Sequence, residues 1–182
     1  MATRTGYIAL LRALNVGGTK KIAMADLRAF AVDLGMGDVR SIIATGNLLF
    51  ASERSAADLE RLLEAEAEKR LGLRTEFFVR DVAQWESAIR RNPFAQATEN
   101  DPAHLVVVFL KKAPAAAAAR ALEAAIVGPE VVRLDGKQLY AVYPAGIGES
   151  RLTARLIERK LDTTGTARNW NTILKLRAAA VV

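Results

Sequence analysis

The chain has 182 residues, 51% of them hydrophobic, which suits one ordinary domain or two small ones with a real core. It contains no cysteine, so disulfides, thiolate metal sites and cysteine nucleophiles are excluded, and with no long apolar run or secretory h-region a cytoplasmic protein without a membrane partner is expected. Net charge is +6: residues 1–100 carry 14 Lys/Arg against 13 Asp/Glu and residues 101–182 carry 12 against 7, so the basic excess lies in the second half and admits an anionic ligand or nucleic acid.

Residues 7–14 form a mostly apolar run suited to a buried strand, followed by Asn15-Val16-Gly17-Gly18-Thr19-Lys20-Lys21, a glycine loop with two lysines. Leu27, Phe30, Ala31 and Leu34 at helical spacing predict a helix over 24–34, stopped by Gly35. Residues 39–44 and 48–51 read as strands joined at Thr45-Gly46-Asn47. Ser55 with Asp58 resembles a capping box for a helix whose stripe is Leu59, Leu62, Leu63 and Leu71. Residues 74–80 read as a strand, and Asp81 as the cap of a helix that ends at Asn92-Pro93.

Residues 95–103, small and polar, read as a linker, and the order then recurs. A strand over 105–110, an alanine-rich helix over 114–126, a hairpin of 131–134 and 138–143 around Asp135-Gly136, a helix over 150–161, a strand over 164–168 and a helix over 170–179 follow. Each half is β-α-β-β-α-β plus a helix. The expected fold is therefore α+β: two ferredoxin-like units, 1–94 and 95–182, each an antiparallel sheet backed by helices.

In such a unit the exit of the first strand and the hairpin turn share one end of the sheet, so residues 15–21 are expected beside residues 45–47. The loop after the third strand and the exit of the fourth share the other end, which places Gly146, Gly148, Ser150 and Arg151 beside Arg168, Asn169, Trp170 and Asn171. With the units packed so that these ends meet, the segments would line one interdomain cleft, a usual place for a ligand. The chemistry on offer is anion binding. Gly17, Gly18, Gly46, Gly146 and Gly148 let backbone N–H groups turn toward a ligand, Arg12, Lys20, Lys21, Arg151 and Arg168 supply charge, and Asn15, Asn47, Asn169 and Asn171 supply polar contacts. Arg168 and Trp170 open a helix, whose free N–H groups and dipole already favour an anion. No P-loop or dinucleotide fingerprint is present.

Leu10-Leu11-Arg12-Ala13-Leu14-Asn15-Val16-Gly17-Gly18, Thr45-Gly46-Asn47-Leu48-Leu49-Phe50, Asn92-Pro93-Phe94, Pro144-Ala145-Gly146-Ile147-Gly148-Glu149-Ser150-Arg151-Leu152 and Thr166-Ala167-Arg168-Asn169-Trp170-Asn171-Thr172 together resemble the bacterial domain-of-unknown-function family 1697. Ala13 stands where that family usually has glycine, Thr45 where it has serine and Arg151 where lysine is common. The resemblance implies the two-part α+β fold and supplies no activity.

No metal ligand set or cofactor motif is expected, and Ser150 has no histidine base, reading instead as the cap of its helix. His104, the only histidine, is expected to open a strand away from the cleft. The principal expectation is a binder of a small anionic, phosphorylated molecule, with catalysis left open. A second reading is nucleic-acid binding through Arg151, Arg155 and Arg159 on one helix face, although the aromatic signature of RNA-recognition motifs is missing. A third is a structural or partner-binding protein.

Overall fold

The computed structural model describes residues 4–12, 22–43 and 46–180. The chain forms two compact units, Met1–Ser87 with Lys175–Val182, and Ala88–Leu174. It crosses between them inside two helices.

In the first unit the elements are β1 (Thr5–Leu11), α1 (Met24–Asp33), β2 (Gly37–Ser41), β3 (Asn47–Ser52), α2 (Ala56–Leu71), β4 (Phe77–Asp81) and the start of α3 (Val82–Arg90). The sheet has the order β2-β3-β1-β4 with antiparallel pairing throughout. Tyr7, Ala9 and Leu11 of β1 face Leu27 and Phe30 of α1 and Leu59 and Leu63 of α2 in one buried cluster. Burial of each such large side chain contributes about 1.5 to 3 kcal/mol. The helix stripes behave as their spacing requires, and the ends are fixed chemically. Ser55 Oγ accepts from Asp58 N at 3.2 Å, and Gly72 closes α2 at φ 63°. At the next helix Gln84 N donates to Asp81 Oδ1 at 2.6 Å while Asp81 N donates to Gln84 Oε1 at 3.1 Å, a reciprocal capping box.

The second unit holds α4 (Ala95–Asn100), β5 (Leu105–Leu110), α5 (Ala116–Glu123), β6 (Val131–Asp135), β7 (Gln138–Val142), α6 (Ala154–Leu161), β8 (Gly165–Asn169) and the start of α7 (Trp170–Ala179). Its order is β6-β7-β5-β8, again antiparallel. Val106, Val108 and Leu110 pack with Leu122 of α5 and Ile157 and Leu161 of α6. The architecture is two ferredoxin-like units, with the unbroken apolar runs as central strands buried on both faces.

Three local readings change. The linker expected over 95–103 contains α4, because Asn92 accepts from Phe94 N at 3.0 Å and donates to Thr98 Oγ1 at 2.7 Å, holding that turn from outside. The helix expected from residue 150 begins at Ala154, capped by Thr153 Oγ1, which accepts from Leu156 N at 3.2 Å. A single 3-10 turn, Ile147–Glu149, precedes it. Finally β2 starts at Gly37, two residues early, with a register shift between Gly37 and Arg40.

Candidate functional site

The end of the second sheet follows from strand order. β5 enters between the exits of its two neighbours: Leu105 pairs with Val142, Val106 with Asn169, and Tyr143 N donates to His104 O at 2.9 Å. The loop over 143–153, the start of α7 and His104 therefore share this end, as the topology argument requires for the first two. His104 corrects the sequence reading, which put it elsewhere. Its Nδ1 lies 2.6 Å from Asp101 Oδ2, and its Nε2 is 3.6 Å from where a Cβ on Gly146 would sit. Gly146 has φ 85° and ψ 151°, a conformation suited to glycine alone. An Asp–His pair of this kind fixes a ring and leaves its far nitrogen for proton transfer. Only the Asp-x-x-His spacing marks it in sequence.

Along the loop, Ser150 is committed. Its hydroxyl donates to Glu130 and accepts from Leu152 N at 2.9 Å, so it holds a two-residue turn and does not cap α6. Tyr143 donates to Leu152 O at 3.2 Å, and burial together with the Glu130 carboxylate pushes its phenol up to about 12. Gly148 has open space around it. Arg151 is exposed and lies before the Thr153 cap, outside α6, which leaves Arg155 and Arg159 as the exposed arginines on that helix face. The continuous helical stripe of three arginines is thus shortened to two.

At the start of α7, Asn169 is the cap: Thr172 N donates to its Oδ1 at 3.0 Å. Arg168 pairs with Val107, on the sheet face opposite Val106 and Val108, and donates to Thr166 Oγ1 at 3.0 Å and to Ala167 O at 2.8 Å. Burial lowers its pKa to about 10. Trp170 is 3% exposed, and its indole N–H has no hydrogen-bond acceptor among the described residues. Asn171 is exposed.

At the other sheet end in the first unit, where β1 exits beside the β2–β3 turn, Leu11 N donates to Gly46 O at 2.8 Å. Gly46 adopts φ 73°, and a Cβ there would meet Leu11 Cβ at 3.0 Å. Asn47 is fully buried and donates to Ile42 O at 3.0 Å, closing the hairpin. Arg12 pairs with Glu76 at 2.6 Å. Each of these three residues has a structural partner in place. Asn15, Gly17, Gly18, Lys20 and Lys21 lie outside the described residues. Among the described residues no group of three His, Asp or Glu is placed to hold a metal ion, and no helix is long and apolar enough to cross a membrane.

The solved structure of conserved bacterial protein SP0830 from Streptococcus pneumoniae is similar over 97% of this chain and 98% of that one, with a TM-score of 0.75 and 24% identity, a likeness of fold. No curated protein matches. The family described as "Protein of unknown function (DUF1697)" matches residues 4–140, and the chain belongs to that family.

Proposed function

We propose that the protein binds a small anionic, phosphorylated ligand at the end of the second sheet where α7 begins. The observation that carries this reading is positive charge at a helix start: the partly desolvated Arg168 guanidinium stands two residues before α7, and Asn171 is exposed in the first turn of that helix. The Asn169 side chain caps one N–H of that turn, Thr172 N. A phosphate brings several acceptor oxygens and a charge that the helix dipole favours. Asn171 and Arg151 stand exposed at the same end, and Gly148 in the preceding loop adds exposed backbone with open space around it. Arg155 and Arg159, exposed on α6, favour nucleic acid as the second reading.

The test is thermal stabilisation by adenosine 5′-monophosphate, ribose 5-phosphate and inorganic phosphate. A ligand at 100 times its dissociation constant adds about 2.7 kcal/mol to the unfolding free energy. Arg168→Ala is expected to remove most of that gain while the protein stays folded, since a charged hydrogen bond to a ligand contributes roughly 1.5 to 3 kcal/mol. Undiminished stabilisation in the variant rejects the site. A preference for oligonucleotides that collapses steeply with salt selects the second reading.

A further inference from the structure

In the first unit Gly37, Ala51 and Gly6 lie side by side across β2, β3 and β1, because Gly37 and Gly6 both pair with Ala51. Paired antiparallel residues share a face, and this row is on the face away from the core, which uses Tyr7, Ala9, Leu48 and Phe50. None of the three carries more than a methyl group, so the row is a trough with a backbone floor. A cavity of about 660 Å³ opens along it, within the range of small-ligand sites. Leu49 and Val82 give it apolar walls, and Arg4, Arg40 and Asp38 give it charge.

The two arginines arrive by specific devices. Arg4 lies across Gly37, where a Cβ would come within 2.5 Å of its Nη1, so the missing side chain gives the guanidinium the space it occupies. Arg40 is three residues from Gly37, and strict alternation would turn the two to opposite faces. The register shift between them corrects this: Gly37 pairs with Ala51 and Arg40 with Leu49, both on the trough face. A bulge re-aims a side chain in just this way, and Asp38 at φ 51° marks it. Arg40 stands two residues along β3 from the Arg4 position, about 7 Å. Neither arginine forms an ion pair with a carboxylate among the described residues, Asp38 included.

We propose that this trough binds a sugar phosphate monoester of nucleoside-monophosphate size, its phosphate between Arg4 and Arg40. Two guanidinium groups match the charge of one phosphate dianion and donate in pairs to its oxygens. Asp38 accepts from sugar hydroxyls, and the ring system lies against Leu49 and Val82. None of these residues belongs to the α7 site, so the two proposals stand or fall separately.

Calorimetric titration with adenosine 5′-monophosphate, ribose 5-phosphate and inorganic phosphate is made on the full chain carrying Arg168→Ala, which leaves the trough as the reporter. Saturable binding of adenosine 5′-monophosphate is expected, weakened roughly tenfold or more by adding Arg40→Gln or Arg4→Gln, both exposed positions whose replacement leaves the fold intact by circular dichroism. Ala51→Leu, which raises the floor, is expected to abolish it. No saturable binding in the Arg168→Ala chain, or binding indifferent to both arginines, overturns the trough. Equal affinity for inorganic phosphate and adenosine 5′-monophosphate overturns the role of the walls. Full binding in that chain with loss on Arg40→Gln upholds the trough, and the α7 site is judged by the thermal stabilisation of the wild-type and Arg168→Ala chains.

Discussion

The fourth strand of each unit ends in an arginine followed by the residue that caps the next helix: Arg80 and Asp81 before α3, Arg168 and Asn169 before α7. Both arginines sit opposite the central strand, paired with Ile8 and Val107, and each donates to the carbonyl of the residue before it at 2.8 Å. They differ in what surrounds the charge. Arg80 is 5% exposed and has Glu60 at 3.4 Å, and its helix begins on the carboxylate of Asp81. Arg168 hydrogen-bonds Thr166, and its helix begins on the neutral amide of Asn169. Burial lowers the pKa of both, while Glu60 pulls that of Arg80 back up. The same backbone joint thus sets a carboxylate beside the first arginine and a threonine hydroxyl beside the second, and our proposal of anion binding concerns the latter.

The largest expected effect tests the first joint. Glu60 Oε1 accepts from Val79 N at 2.8 Å as well as facing Arg80. Glu60→Ala leaves a buried guanidinium without that carboxylate and is expected to cost about 3 to 5 kcal/mol in urea unfolding. Thr166→Val, its counterpart beside Arg168, removes a neutral acceptor and is expected to cost about 1 kcal/mol. Equal losses would mean that the two joints are not differently balanced.

A second, intermediate effect separates the titrating groups of the second unit. Tyr140 and Tyr143 are buried, donate to Ala88 O and Leu152 O, and are each pushed up to about 12. Between pH 10 and 12 the folded state therefore holds more tyrosine protons than the unfolded chain, so this stability is lost as pH rises. Arg168 has the opposite sign: its folded pKa, about 10, lies below the ordinary 12.5, so the cost of burying its charge is relieved over the same rise. Two tyrosines outweigh one arginine, and net destabilisation is expected. Tyr140→Phe and Tyr143→Phe should each flatten the alkaline limb by on the order of 2 kcal/mol, and Arg168→Met should steepen it. Unfolding free energies at pH 9 and pH 12 decide the matter, and an alkaline limb unchanged by either phenylalanine refutes the assignment.

Much of this comparison is readable from sequence because it rests on local chemistry. The short, Val-rich run of Leu105–Leu110 favours a buried strand, Ser55 with Asp58 announces its helix by spacing, and Asp81 marks the start of the next. Features that depend on pairing are not readable. His104 is the exception: the expected ferredoxin-like order already starts β5 at the end where β7 and β8 exit, and only the assignment of residue 104 away from that end is mistaken. Arg40 shares the trough with Gly37 through one extra residue in β2, invisible to a period-two pattern. Ser150 and Thr153 are equally good caps by type, and the Glu130 partner of Ser150, which decides between them, lies twenty residues upstream.

The smallest expected effect is the most direct test of anion binding at the start of α7. Asn169→Asp keeps a side-chain oxygen on Thr172 N and adds a charge at the positive end of α7, so the ligand-free protein should gain about 0.3 to 1 kcal/mol. Asp81→Asn makes the reverse change at α3 and should lose a similar amount. Asn169→Ala, which removes the cap, should cost about 1 kcal/mol and fixes the scale. The consequence for binding runs opposite to that for stability. A carboxylate at position 169 occupies the field that an anionic ligand would use and repels its charge, so Asn169→Asp should be the variant that unfolds later on its own yet gains less from a phosphate ester. A chain stabilised by Asn169→Asp that still takes the ester with undiminished affinity would show that the dipole of α7 is satisfied within the fold, and that the start of α7 is not where the ligand binds.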